Sequence, residues 1–311
     1  MSEPTRQTQA APQRELVGLI GVGLMGSALA ARLRARGFGV LGFDVRAERL
    51  RALRELEGQP AGDARGVASQ CRRVILSLPT SAVAREVIGQ LSEQLRPGQI
   101  ILDTTTGEPG AAAELGRQLE ARGVAYLDAT ISGSSTQARR GEVTVLAGGA
   151  AEAFAQCGDL FECFARRAFH LGSWGSGARM KLVTNLVLGL NRAALAEGLA
   201  LAKALGFELE QTLSVLRECP AYSRVMDTKG AKMVKGDFTP EARLSQHLKD
   251  VRLILAAGRE AGVVLPLSQV HRELLERAEA AGLGELDNAA IVQLLIGDAP
   301  PQRRNGRQKG S

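Results

Sequence analysis

Residues 16–26 read LVGLIGVGLMG, an apolar run broken at Gly21, Gly23 and Gly26 and continued by the helix-like segment SALAARLRARG. A strand that runs through a glycine turn directly into a helix commits the chain to open with a βαβ unit. Gly21 permits the sharp turn, Gly23 lets a pyrophosphate approach the backbone, and Gly26 lets the helix pack on the strand. With Val22, Leu24 and Met25 between them, these glycines form a candidate dinucleotide site. The helix start adds unpaired N–H groups and a partial positive charge for the phosphates. The next apolar stretch, FGVLGFD, ends in Asp44 about 20 residues beyond the glycines, where a carboxylate accepts hydrogen bonds from an adenosine ribose. Asp44, with Val45 beside it, therefore favours NAD by repelling a 2′-phosphate, while Arg46 leaves NADP open. The plainer reading of Asp44 is a helix cap for RAERLRALREL.

Further strand patterns (RRVILSLP, QIILDTT, AYLDATIS, EVTVLAGG, AFHLGS) alternate with helical stretches such as AREVIGQLSEQL and AAAELGRQLEARG. Such alternation predicts an α/β domain with a mainly parallel, doubly wound sheet. After Ser173 the strand signal stops. Residues 174–206 give about 30 residues of uninterrupted helical pattern, and all later segments are helical too. The expected organisation is a disordered tail at 1–14, a Rossmann-type domain at 15–174, an all-α substrate and oligomerisation domain at 175–297, and a basic disordered tail at 298–311.

The net charge of +6 invites a nucleic-acid reading, but most of it lies at the two ends. Residues 1–14 carry Arg6 and Arg14 against Glu3, and residues 299–311 carry Arg303, Arg304, Arg307 and Lys309. The folded part is nearly neutral, so no nucleic-acid partner is expected of it; a weak anion contact by the C-terminal tail stays open. No apolar run is long enough for a membrane span, and residues 1–14 lack the apolar core of a signal peptide, which makes a cytoplasmic location the expectation. Cys71, Cys157, Cys163 and Cys219 have no metal-ligand spacing and histidines number three, so no metal is expected. The cysteines read as buried small hydrophobes.

On the long helix, Lys181 and Asn185 are four residues apart and project from one face. A lysine among Val183, Leu186 and Leu188 and beside the glycine-rich GSWGSG is in a setting that suits it to exchange protons. Spacing alone is equally compatible with a solvated first-turn lysine and a packing asparagine.

Four ordered motifs carry a resemblance to the β-hydroxyacid dehydrogenases, typified by 3-hydroxyisobutyrate dehydrogenase and tartronate semialdehyde reductase. They are GLIGVGLMGSALAARL at 18–33, DATISGSSTQARRG at 128–141, GSGARMKLVTN at 175–185 and HLKDVRLILAAGREAGVVLPL at 247–267, within a likeness spanning residues 15–297. The resemblance implies a Rossmann domain joined by a long helix to a helical domain like that of 6-phosphogluconate dehydrogenase, with the active site in the cleft between them. It implies Lys181 as catalytic general acid–base and Asn185 as its neighbour holding substrate. Ser132, Gly133 and Ser134 would bind the substrate carboxylate, Lys249 would lie near both substrate and cofactor, and Leu78, Pro79 and Thr106 would line the cofactor. A homodimer or homotetramer acting on a small hydroxy acid or its semialdehyde is implied as well.

The substrate loop departs from the family pattern DAPVSGG, because Thr130 replaces the proline and Ser134 the second glycine. A less constrained backbone and an added hydroxyl beside the carboxylate site are expected, which leaves the acid unnamed. Arg224 and Lys232 read either as substrate contacts or as surface charges. Two alternatives stand beside the dehydrogenase reading. One is an imine or other reductase on the same scaffold, against which Lys181 argues. The other is a non-catalytic nucleotide-binding protein that uses its basic tail.

Overall fold

The structure is a computed structural model that describes residues 14–296; residues 1–13 of the expected first tail and all of the second lie outside the described residues, while Arg14, assigned to the tail, begins the first strand. One eight-stranded sheet organises the first half: β1 Arg14–Ile20, β2 Phe38–Phe43, β3 Gln59–Pro60, β4 Arg73–Leu76, β5 Ile100–Asp103, β6 Ala125–Ser132, β7 Val143–Gly149 and β8 Ala165–His170. The strand order is β3-β2-β1-β4-β5-β6-β7-β8. All pairings are parallel except β6 with β7. That exception follows from the connection: residues 133–142, with a helix of 6 residues at Ser135–Arg140, are too few for a parallel crossover. Strand order reverses at β1 and β4, the place where a doubly wound sheet opens a crevice at its carboxyl edge.

Both faces of the central strands are covered, so those strands are mostly apolar, whereas the edge strand β8 exposes Arg166, Arg167 and His170. Val17 and Leu19 point into one core, with Leu29, Leu33 and Phe161. Ile20 points into the other, with Leu76, Ile101 and Leu115. The period of two thus sends successive β1 residues to opposite helix layers. Cys71, Cys157 and Cys163 are buried among these side chains as expected of small hydrophobes, and burial raises the Cys71 and Cys157 thiols to about 12. Cys219 differs from the expectation: it is exposed, just past the Leu209–Glu218 helix.

The 29-residue helix Ser176–Ala204 runs without a break, and the chain divides into two compact units inside it, between Thr184 and Asn185. The division falls beyond the end of the strand signal because the first turns of the helix belong to the sheet. Gly177 is packed against the carbonyls of Asp128 and Leu146 with no room for a Cβ, and the Trp174 indole donates to the Tyr126 carbonyl at 3.0 Å.

The second unit is helical, its principal later helices being Leu209–Glu218, Leu244–Glu260 and Pro266–Ala278. Leu244, Leu248, Val251 and Leu255 repeat at helical spacing and pack with Leu195, Leu199, Leu213 and Leu275. A buried ion pair ties a π turn at Met226–Gly230 to the 3-10 turn Asn288–Ala290. Lys229 Nζ lies 2.9 and 2.8 Å from the two oxygens of Asp287, which also accepts the backbone N–H groups of Glu241, Ala242 and Ala289. Burial opposes the charge on Asp287, but Lys229 and those N–H groups outweigh it and hold the carboxyl below its usual range. Lys229→Met is therefore expected to destabilise the fold by about 3–5 kcal/mol, read as a lower urea midpoint, because it strands a carboxylate that is fully buried. An unchanged midpoint would mean that the backbone donors alone hold the charge. Among the described residues no helix is long and apolar enough to cross a membrane.

Candidate functional site

The glycine turn lies at the carboxyl end of β1. Gly21 has φ +94°, and a Cβ there would overlap the Ser77 carbonyl just after β4, so both the angle and the space require glycine. A Cβ on Gly26 would overlap the Gly21 carbonyl, which places the Leu24–Ala35 helix directly against the turn. Gly23 differs from both: a Cβ there would meet no protein atom within 4 Å. The turn therefore presents open backbone at the head of a helix, with a half-exposed Met25 and an exposed Leu24 beside it. This cradle fits the pyrophosphate of a dinucleotide.

Asp44 faces the same turn. One carboxylate oxygen accepts the Val22 N–H at 2.7 Å and the other accepts the Arg46 N–H at 2.9 Å. The helix Ala47–Glu55 has Arg46 as its N-cap and no side-chain cap, so Asp44 is engaged with the nucleotide turn rather than serving as a helix cap. Asp44 is half-buried, whereas Val45 is 88% exposed and Arg46 is exposed next to it. Leu78 and Pro79 follow β4 and Thr106 follows β5. All three thus stand at the carboxyl edge, on strands next to β1 or one further out.

After β6, Gly133 takes φ +146°, and a Cβ there would come 2.7 Å from Val143. No described residue hydrogen-bonds the half-buried Ser132 hydroxyl. The extra hydroxyl of Ser134 already has a structural use. It accepts the Gln137 N–H at 3.2 Å while the Gln137 side chain accepts the Ser134 N–H at 2.9 Å, a capping box for the Ser135–Arg140 helix. Thr130 is fully buried, and its hydroxyl lies 3.2 Å from the Gly177 carbonyl and 3.3 Å from that of Leu146.

Lys181 is buried, 6% exposed, one turn before Asn185, which is 5% exposed. The Asn185 amide donates to Asp250 at 2.9 Å, and Lys249 Nζ lies 3.5 Å from the other Asp250 oxygen. Asp250 is thus a functional candidate missed from sequence, although it is the last letter of the quoted HLKD. It fixes which end of the Asn185 amide faces away. Arg192 was also missed. It is 4% exposed and continues the stripe of Lys181 and Asn185, since eleven residues bring a helix back to nearly the same face. Burial lowers its pKa to about 10, and burial together with the Arg192 charge lowers His271 to about 4, so His271 is neutral at pH 7. Of the two ambiguous cations, Lys232 donates to the Thr239 carbonyl at 2.9 Å and lies 3.8 Å from Asp237, the partners of a structural pair; Arg224 is exposed.

Two families match, and they meet between residues 172 and 175, just before the long helix. Residues 16–172 match the family described as the NAD binding domain of 6-phosphogluconate dehydrogenase, and residues 175–295 match the one described as NAD-binding of NADP-dependent 3-hydroxyisobutyrate dehydrogenase. The chain is 30% identical over 286 residues to L-threonate dehydrogenase of Cupriavidus necator, covering 90% of this chain and 96% of the relative. It is 28% identical to 2-(hydroxymethyl)glutarate dehydrogenase of Eubacterium barkeri, over 89% of this chain and 94% of the relative. Among solved structures, 3-hydroxyisobutyrate dehydrogenase from Salmonella typhimurium superimposes with a TM-score of 0.84 at 26% identity, over 90% of this chain and 100% of that one.

Proposed function

The chain belongs to the β-hydroxyacid dehydrogenases, NAD(P)-dependent oxidoreductases acting on a hydroxyl group, and from that premise we propose a reaction, a catalytic base and a cofactor preference. The reaction is reversible hydride transfer at the carbinol carbon of a small β-hydroxy acid or its semialdehyde. Lys181 exchanges the proton of the hydroxyl or carbonyl oxygen, and Asn185 holds the substrate beside it. The observation that carries this reading is the burial of the Lys181 amine one turn from an asparagine whose amide is itself fixed by Asp250. A buried amine meets a reacting oxygen in low dielectric, where its charge acts strongly on a developing alkoxide.

Ser132, Gly133 and Ser134 take the substrate carboxylate in this reading, with the Ser132 hydroxyl as the side-chain donor. Lys249 serves substrate and cofactor together. The Gly21–Gly26 turn, Asp44, Val45, Leu78, Pro79 and Thr106 hold the dinucleotide, whose bound nicotinamide supplies or accepts the hydride. A homodimer or homotetramer belongs to the same reading, supported by the exposed Val183, Val187 and Leu201 on the long helix. A panel of 3-hydroxyisobutyrate, glycerate, 4-hydroxybutyrate, threonate and semialdehydes, read by NADH or NADPH absorbance, tests it. Turnover of at least one acid is expected, and silence on the whole panel with bound cofactor would favour a non-catalytic role.

The cofactor preference is the third element. Asp44 places its charge where a 2′-phosphate would lie, so kcat/KM is expected to favour NAD over NADP by about 10–100-fold. Asp44→Asn keeps an acceptor for the Val22 N–H but removes that charge beside the exposed Arg46. The ratio should then move toward NADP by about tenfold or more. A wild-type protein that prefers NADP would overturn this assignment.

A further inference from the structure

The Ser176–Ala204 helix, which carries Lys181, has no acidic residue in its first turn. A cap comes instead from the sheet. Asp128 of β6 accepts the Gly175 N–H with one carboxylate oxygen at 2.8 Å and the Ala178 N–H with the other at 2.8 Å. Two residues on, and therefore on the same face of the strand, the Thr130 hydroxyl reaches the Gly177 carbonyl. We propose that Asp128 and Thr130 are positioning residues that lock the first turn of this helix onto β6 and so set where the Lys181 amine stands. The proposal rests on the reading of Lys181 as the proton-exchanging group.

Both residues are sealed from solvent, Asp128 at 2% exposure and Thr130 at none. Packing around them leaves the helix no second seat. A Cβ on Gly177 would overlap the Asp128 and Leu146 carbonyls, and one on Gly148 would lie 2.6 Å from an Asp128 oxygen and 2.9 Å from the Ser176 nitrogen. Lys181 follows Ala178 by three residues, about 4.5 Å along the axis, so a shift of the capped turn passes directly to the lysine. Burial raises the Asp128 carboxyl to about 6, opposed by its bonds to Ala178 and Gly175, which leaves it ionised at pH 7 and facing the positive end of the helix dipole. Thr130 occupies the position where the family pattern has a proline, so the hydroxyl arm of the lock is a feature of this chain's own sequence.

A double-mutant cycle tests the lock, with saturating NAD and the panel acid of highest kcat/KM as probe. Asp128→Asn retains one carbonyl oxygen but turns an N–H donor toward the helix, and is expected to lower kcat about 10–100-fold. Thr130→Val removes only the hydroxyl and should lower kcat about 3–10-fold, while Thr130→Ser restores it. The KM for NAD should stay within about twofold in each variant. In a Lys181→Ala background neither change should lower the residual rate more than about twofold, because the group they position is gone. A full additive loss in that background would make both residues merely structural and overturn the proposal, as would unchanged kcat in both single variants. Full activity of Lys181→Ala alone is a separate signature that removes the reading beneath. If Asp128→Asn does not fold, the near-isosteric Thr130→Val cycle decides alone.

Discussion

Lys181→Ala is expected to lower kcat by about 10²–10⁴-fold, or roughly 3–5 kcal/mol of transition-state stabilisation, with KM for the hydroxy acid changed far less. In the proposed reaction the amine accepts a proton as the hydroxyl becomes a carbonyl and returns it in the reverse direction. No other described ionisable side chain on the helix face of Lys181 and Asn185 suits that exchange, since Arg192 is a guanidinium and stays protonated near neutral pH. Lys181→Arg should accordingly fail about as badly as alanine, although it preserves the charge, because a guanidinium does not give up its proton at the pH of catalysis. Lys181→Met keeps the unbranched aliphatic body of a side chain that is only 6% exposed, so it removes the amine while filling the same space. Steady-state rates for the three variants, with denaturation midpoints alongside, separate a chemical loss from a packing loss. An alanine variant with undiminished turnover would remove Lys181 from the reaction.

What the amino-acid order made legible was what is local or periodic. The glycine turn announces itself because strand, turn and helix are contiguous, and two of its three glycines answer to a contact within or beside that turn, Gly21 under the Ser77 carbonyl and Gly26 over the Gly21 carbonyl, while Gly23 faces open space. The doubly wound sheet follows from alternation, and the long helix from thirty unbroken residues of pattern, about its actual length. The losses are nonlocal. Asp250 meets Asn185 across 65 residues, and a carboxylate inside an amphipathic helix looks like any solvated charge until its partner is known. Asp128 caps a helix nearly 50 residues away, which no capping-box pattern reveals. Ser134 is the exception, a local feature passed over: it reads as a substrate hydroxyl from the altered loop, although Ser134 and Gln137 carry the S-x-x-Q spacing of the helix cap it forms. The two-residue strand Gln59–Pro60 was not expected either, being too short for a period of two to register. Exposure of Cys219 followed the same logic: cysteine alone does not say which side of a helix end it occupies.

The second large effect separates cofactor binding from folding within a single turn. Gly23→Ala places a methyl in open space, with no heavy atom within 4 Å apart from its immediate chain neighbours, at a backbone angle of φ −71° that alanine adopts freely. The only folding cost is the weaker helix N-cap, no more than about 1 kcal/mol. In the proposed site the methyl stands where the pyrophosphate approaches, so NADH affinity is expected to fall about 100-fold, close to 3 kcal/mol. Gly26→Ala makes the opposite demand. Its methyl overlaps the Gly21 carbonyl, and relief requires the Leu24–Ala35 helix to move off the turn, at an overpacking cost of about 1–3 kcal/mol in stability. Because that movement also displaces the N–H groups offered to the phosphates, cofactor affinity should fall together with stability. Fluorescence titration of NADH and thermal denaturation, run on both variants, read the two quantities independently. A Gly23→Ala protein that binds NADH as tightly as the parent would place the pyrophosphate elsewhere, and with it the site built on this turn.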